Sequence, residues 1–94
     1  MCENHEALTH ILEIADAQRV QRAADRTSEE VTWNGQFWTA FCRGARNEIY
    51  TSRITLVPRR AFNCNCQDRK RADQVGPCKH VISLAQAGLR QMAS

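Results

Sequence analysis

The chain of 94 residues has no long hydrophobic run, and no stretch approaches the ~18 apolar residues that a membrane-spanning helix requires. Its first residues are acidic and polar, without the basic and apolar regions of a signal peptide. Glycine is scarce, and no phosphate-binding glycine loop, nucleophile elbow or acidic cluster suited to Mg²⁺ occurs. We therefore expect a cytoplasmic protein, nucleoid-associated if its source is prokaryotic, that has no membrane partner and is not an enzyme.

Lysine is almost absent, because 11 of the 13 cationic side chains are arginine. The planar guanidinium group of arginine favours bidentate contacts, such as those to phosphate. The charge is also unevenly distributed, with a net charge of −4 over residues 1–42 and of +7 over residues 43–94. A basic C-terminal half indicates an anionic partner.

Helical patterns occupy the two ends of the chain. Apolar residues spaced by three and four predict an N-terminal helix over residues 5–26, a segment that lacks glycine and proline. Near the other end, the pair Gly76–Pro77 opens a second helix, whose apolar side runs from Val81 to Met92. The length corresponds to one small domain, whose modest core would benefit from a cross-link.

Segments rich in β-branched and aromatic residues lie between the two helices. The pair Asn34–Gly35 supplies the positive φ angles of a type I′ turn and predicts a hairpin over residues 31–42. Residues 48–57 predict a third strand, which Pro58 ends. We expect the large aromatic residues of the hairpin to pack in its core rather than form a stacking platform for single-stranded nucleic acid.

Two closely spaced pairs of metal-ligand residues follow the third strand. The first pair is Cys-x-Cys at residues 64–66, and the second is Cys-x-His at residues 78–80. Three thiols and one imidazole in two short chelating arms are typical of a tetrahedral zinc site, with ligands Cys64, Cys66, Cys78 and His80. A disulfide is disfavoured in the cytoplasm, and a purely redox role would leave the histidine unused.

A site with four protein ligands leaves no coordination position for water or substrate, so the sequence predicts one structural Zn²⁺ ion. The binding energy of the ion then contributes to folding, and we expect the C-terminal half not to fold without it. The expected fold is therefore an α+β fold, a small zinc-stapled domain with an N-terminal helix, a three-stranded antiparallel sheet, a zinc knuckle and a C-terminal helix.

These residues resemble the SWIM-type zinc finger. The resemblance rests on Phe-Asn-Cys-Asn-Cys at residues 62–66 and on Gly-Pro-Cys-Lys-His-Val-Ile at residues 76–82. The chain departs from the family pattern at Asn65 and Gln67, where serine and proline are frequent, and neither residue is an expected ligand. The resemblance divides the chain into a helical extension over residues 1–28 and a SWIM-like module over 29–94.

The resemblance implies a module that binds DNA or another protein, of the kind found in chromatin-remodelling helicases, transposases and recombination-associated factors. Six cations lie around the two ligand pairs in the sequence: Arg59, Arg60, Arg69, Lys70, Arg71 and Lys79. One cation is enough to balance the charge of three thiolates around Zn²⁺, so the others favour phosphate contacts. We therefore expect binding of nucleic acid, DNA rather than RNA, through sequence-independent and salt-sensitive contacts.

Two alternatives remain at this point. The alternative to nucleic-acid binding is a protein-interaction adaptor of a recombination, transposition or chromatin complex, in which zinc only stabilises the fold. In that case the acidic N-terminal helix or an exposed strand edge docks the partner. A homodimer through residues 5–26 is the third hypothesis.

Overall fold

A computed structural model describes residues 3–15, 17–23, 28–43, 46–57, 59–65 and 77–93. Two helices come first, and four strands and a last helix follow. The elements are α1 (Glu3–Ile14), α2 (Ala17–Ala23), β1 (Glu29–Trp33), β2 (Phe37–Arg43), β3 (Ile49–Thr55), β4 (Ala61–Cys64) and α3 (Lys79–Ala93). The predicted α+β class, with a helix at each end and an antiparallel sheet between them, is confirmed.

The four strands form one antiparallel sheet in the order β1-β2-β3-β4. The sequence predicts three strands, and β4 is the addition, because it pairs with β3 within a segment that looks polar and irregular. A strand of four residues is too short to show its own alternation of apolar and polar side chains. Its strand conformation comes from backbone hydrogen bonds to β3, which no local pattern reveals.

The turn between β1 and β2 lies where Asn34 and Gly35 predict it. The side-chain oxygen of Asn34 accepts hydrogen bonds from the backbone N–H groups of Gln36 and Phe37, both at 2.9 Å. Gly35 has a φ angle of +94°, a conformation that other residues rarely adopt, whereas Asn34 does not have a positive φ angle. The turn is therefore in the predicted place but is not the type I′ turn expected, because its central residues are Gly35 and Gln36 and Asn34 precedes them. Local chemistry therefore positions this turn without help from the core.

The N-terminal helical region consists of two helices where the apolar spacing predicts one. Helix α1 ends at Ile14, the chain bends at Ala15, and α2 begins at Ala17. Both helices pack against α3. The bend lets each of them reach α3, so tertiary packing divides a segment that is continuous in its periodicity.

The helices cover one face of the sheet. Trp38 and Ile54, opposite each other on β2 and β3, pack into one core with Leu8 of α1 and with Val81 and Leu84 of α3. The N-terminal helical region therefore shares a core with the sheet and α3, while a domain boundary at residue 28 stays a prediction.

The aromatic residues of the hairpin divide between the two faces of the sheet. Trp33 and Trp38 lie on the helix-covered face, with ring centroids 5.6 Å apart. Phe37 and Phe41 alternate with Trp38 along β2 and point to the other face, where Phe41 is 38% exposed. There the guanidinium carbon of Arg53 lies 4.2 Å from the ring centroid of Phe37. Only half of the expected aromatic hairpin core is therefore present.

A glycine allows α1 and α3 to approach closely. A Cβ atom placed on Gly88 of α3 would lie 2.7 Å from the Cδ1 atom of Leu8 and 3.6 Å from the ring of Trp38. The sequence predicts that Gly88 lowers the stability of the helix locally, whereas in the structure its missing side chain leaves room for Leu8. None of the helices in the described ranges is both long and apolar enough to cross a membrane.

Candidate metal centre

The candidate centre lies where the edge strand β4 meets the start of α3. Cys64 is the last residue of β4, and its pairing with Ser52 of β3 turns its side chain towards the helices. The carbonyl oxygen of Cys78 accepts a hydrogen bond of 3.0 Å from the N–H of Ile82, so Cys78 takes the N-cap position of α3. His80 follows in the first helical turn. Strand pairing and helix initiation thus bring together residues that are 14 and 16 positions apart.

Three of the predicted ligands form a compact cluster. The ligand atoms of Cys64, Cys78 and His80 all lie within 4.8 Å of one another. The Sγ atom of Cys64 is 3.6 Å from Nδ1 of His80. Zinc bonds of about 2.3 Å to sulfur and 2.0–2.1 Å to nitrogen, at a tetrahedral angle, require a separation of about 3.6 Å. The spacing therefore fits two ligands on one edge of a tetrahedral site.

The cluster is shielded from solvent, with exposures of 5% for Cys64, 0% for Cys78 and 2% for His80. Burial of this kind keeps the three ligand atoms away from bulk water. The N-terminus of α3 also favours a negative charge on Cys78, because the first N–H groups of a helix carry a partial positive charge. Burial, spacing and helix polarity all suit a metal-bound thiolate.

The imidazole of His80 is held in place by an aromatic neighbour. The ring of Tyr50 on β3 stacks on it, with centroids 4.8 Å apart and planes inclined by 24°. The hydroxyl group of Tyr50 donates a hydrogen bond of 3.3 Å to Glu48. Sequence reasoning does not find Tyr50, and the available signal is its place on the same face of the third strand as the core residues.

The fourth predicted ligand, Cys66, lies outside the described residues, and the four-ligand set stays a prediction. The described part of the chain shows a Cys/Cys/His cluster that could hold a metal ion, without fixing which metal it holds. Cys42 is also buried but belongs elsewhere, because its sulfur lies 3.7 Å from the hydroxyl oxygen of Ser28. Burial alone does not distinguish Cys42 from Cys64 and Cys78, whereas the Cys-x-Cys and Cys-x-His spacing does.

The predicted phosphate-binding cations are placed at both ends of β4. Arg59 and Arg60 precede the strand and are exposed, and Arg60 forms an ion pair of 3.6 Å with Glu6 of α1. Lys79 lies at the other end, between the two ligands of α3, and is half-buried. Within the described ranges, no ion pair forms at Arg59 or Lys79. The remaining three predicted cations, Arg69, Lys70 and Arg71, lie outside the described residues.

A second feature of this side of the molecule is an apolar cleft between α1 and the sheet edge. The cleft has a volume of about 250 Å³ and is lined mainly by Ile11, Ile14, Ile54 and Phe62. Ile14, the last residue of α1, is 46% exposed and leaves part of this apolar surface open to solvent. The sequence predicts a protein-docking role for this region only in general terms, through the helix or a strand edge.

Fold and site together define a small α+β protein with a buried Cys/Cys/His cluster able to hold a metal ion. No family model matches the chain, and neither the curated proteins nor the solved structures gave a match. The SWIM-type resemblance therefore stays a prediction that rests on the two ligand pairs and their neighbours.

Proposed function

We propose that the chain is a SWIM-like module that binds nucleic acid, with one structural Zn²⁺ ion held by Cys64, Cys66, Cys78 and His80. The observation that carries the proposal is the position of Lys79, a cation without an ion pair among the described residues, between two residues of the metal cluster. A side chain able to bind phosphate is thereby held next to the metal cluster.

The metal has a structural role in this proposal. Zinc bound by four protein ligands supplies a cross-link between β4 and α3 and offers no coordination position to a substrate. Its binding energy adds to the modest energy of a small core. The fourth ligand, Cys66, separates this role from a catalytic one, because three protein ligands would leave a coordination position open.

The cations at the two ends of β4 bind the phosphate groups. Arg60 and Cys64 are four positions apart, which corresponds to about 13 Å along an extended strand. Successive phosphates of one DNA strand rise by about 3.4 Å along the helix axis, so this distance spans roughly four nucleotides. Contacts of this kind are independent of base sequence, and we propose DNA as the preferred nucleic acid, with Arg69, Lys70 and Arg71 adding to the binding surface.

The first experiment measures zinc per chain in protein purified without chelator. Fluorescent single- and double-stranded DNA and RNA are then titrated at 50 and 200 mM salt. Phosphate contacts by Arg59, Arg60 and Lys79 alone predict a slope of about −2.7 in a plot of log affinity against log salt on duplex DNA, which is roughly a 40-fold loss between these concentrations, and contacts by Arg69, Lys70 and Arg71 make the slope steeper.

Charge variants identify the surface that binds. The double variant Arg59→Ala with Lys79→Ala should lower the magnitude of the salt slope by about 2. Arg90→Ala is the matched control, because Arg90 is an exposed cation in the last turn of α3, 11 positions beyond Lys79 and outside the predicted set of phosphate-binding cations. Zinc-loaded protein that binds no nucleic acid at 50 mM salt would contradict the proposal.

The apolar cleft favours a second candidate function, a protein-interaction adaptor. An apolar segment of a partner would fill the cleft between Ile14 and Phe62, and its binding would depend little on salt. Ile14→Asp should abolish such binding, while the double variant of Arg59 and Lys79 should leave it unchanged. Sedimentation equilibrium of the wild-type chain and of Ile14→Asp tests the homodimer through residues 5–26 at the same time.

A further inference from the structure

Ser52 carries a buried hydroxyl group that the rest of the described structure leaves without a partner. The residue is 0% exposed, and its Oγ atom has no hydrogen-bond partner among the described residues. Buried hydroxyl groups are almost always hydrogen-bonded, because losing water without gaining a partner opposes folding. The hydroxyl of Ser52 therefore indicates a missing acceptor near the middle of β3.

The strand register places one cluster residue directly beside this hydroxyl. Ser52 pairs with Cys64 across β3 and β4, and both side chains are buried on the helix-covered face. Directly opposite residues of antiparallel strands have Cβ atoms about 4.5–5.5 Å apart, so a side-chain rotation can bring the hydroxyl within reach of the sulfur. The neighbour on the other side, Ala40, offers no polar side chain.

Two alternate residues of β3 therefore flank the metal cluster. Tyr50 stacks on the imidazole of His80, and Ser52 lies opposite the thiol of Cys64. The first contact orients one ligand, and the hydroxyl is available to orient a second one. Groups that hold the ligands of a metal in this way also adjust the affinity and the electronic properties of the ion.

We propose that Ser52 is a positioning residue of the metal centre, whose hydroxyl donates a hydrogen bond to the Cys64 thiolate when the ion is bound. The proposal rests on the proposed function, because it requires a metal at the cluster. On binding, Cys64 releases its proton to solvent, its sulfur bonds to the metal, and its remaining lone pairs become acceptors. The hydrogen bond then stabilises negative charge in a site shielded from water.

The test compares variants at Ser52 with a matched control at a second buried serine. Ser52→Ala removes the hydroxyl, whereas Ser52→Thr keeps it. Ser83→Ala is the control, because the Ser83 hydroxyl already has a partner at 2.9 Å in Ser28 and lies on α3 just beyond the ligands. Three quantities are measured for each full-length variant: zinc affinity by chelator competition, the sulfur-to-cobalt charge-transfer band of the Co²⁺ form, and the alkylation rate of the metal-bound thiolates.

We expect Ser52→Ala to lower zinc affinity by about 10- to 100-fold, the usual effect of removing a partner of a metal ligand. The charge-transfer band should shift to longer wavelength and alkylation should become faster, because the sulfur loses a hydrogen-bond donor. Ser52→Thr should restore all three quantities towards the wild-type values. Ser83→Ala should leave the band in place and zinc affinity within about twofold of wild type.

Several outcomes would overturn the proposal. Unchanged affinity and spectrum in Ser52→Ala, with normal metal binding by the wild-type chain, would remove the role of Ser52 and leave the metal site intact. A wild-type chain that binds neither Zn²⁺ nor Co²⁺ would overturn the proposed metal site and this role together. If Ser52→Ala does not fold, the similarly shaped pair Ser52→Thr and Ser52→Val decides, and equal spectra from these two variants would contradict a hydroxyl-dependent effect.

Discussion

Tyr50 stacks on the imidazole of His80, with ring centroids 4.8 Å apart, and so joins the third strand to the first turn of the last helix. The two residues lie 30 positions apart in the chain, and their contact limits the rotation of the imidazole beside Cys64. An aromatic side chain thus fixes the orientation of a metal-ligand candidate whose nitrogen already has the spacing of a tetrahedral site.

The first prediction concerns this aromatic contact. Tyr50→Ala should reduce zinc affinity by about tenfold, because the imidazole must then be ordered at the time of metal binding. Tyr50→Phe keeps the ring and removes the hydroxyl group that donates to Glu48, so its affinity should stay close to that of wild type. Competition with a chromophoric chelator measures the zinc affinity of both variants. An equal loss of affinity in the two would show that the ring contact does not contribute to metal binding.

The second prediction concerns the ligands. Cys64→Ser, Cys78→Ser and His80→Asn should each lower the metal content well below about one zinc per chain and reduce the helical signal of the protein. Cys42→Ser is the matched control, because Cys42 is equally buried but lies outside the cluster. Elemental analysis and circular dichroism provide the measurements. Full zinc content in all three ligand variants would contradict the site.

The third prediction exploits the contact between Leu8 and Gly88. Gly88→Ala gains up to about 1 kcal/mol of helix propensity, but its new Cβ clashes with Leu8, and overpacking costs about 1–3 kcal/mol. We expect a net loss of stability in the wild-type background. In a Leu8→Ala background, which itself costs about 2–5 kcal/mol, the same substitution should become stabilising. Chemical denaturation of the four proteins measures this change of sign, and additive effects would contradict the clash.

The fourth prediction concerns Gly35, where glycine is required for a different reason than at Gly88. Gly35 has open space around it, so its substitution by alanine meets no neighbour and is unfavourable only because of the positive φ angle. Gly35→Ala should destabilise the protein by about 1 kcal/mol, which lowers Tm by roughly 4–8 °C in a domain of this size. Gly35→Asn should cost less, because asparagine tolerates positive φ angles better. Thermal unfolding followed by circular dichroism compares the two, and similar Tm losses would contradict this explanation.

The elements that sequence predicts best are those with local causes. The side-chain oxygen of Asn34 accepts hydrogen bonds from two neighbouring backbone N–H groups, so the residue pair Asn34–Gly35 is enough to predict the position of this turn. Strand β4 has no such cause and exists through its pairing with β3. The division of the N-terminal helical region likewise depends on packing against α3. Long-range contacts leave no local pattern, and they account for each difference between the expected fold and the structure.

The same distinction applies to the candidate site. Spacing alone predicts Cys64, Cys66, Cys78 and His80, because two short chelating arms are an unusual combination of reactive residues, and the structure brings the three described ones together. Tyr50 and Ser52 cannot be selected in this way, since a tyrosine and a serine in a strand have many structural uses. Only the register of β3 with β4 and the start of α3 bring them to the ligands.

The junction of β4 with α3 at the cluster has a thermodynamic consequence for the proposed zinc form. An ion that binds the folded chain and not the unfolded one raises the unfolding free energy by about 1.4 kcal/mol for each tenfold increase of free metal above its Kd. Because α3 carries much of the core, this increment applies to the whole domain rather than to a local loop. The abundance of the folded protein would then follow the concentration of available zinc in its surroundings.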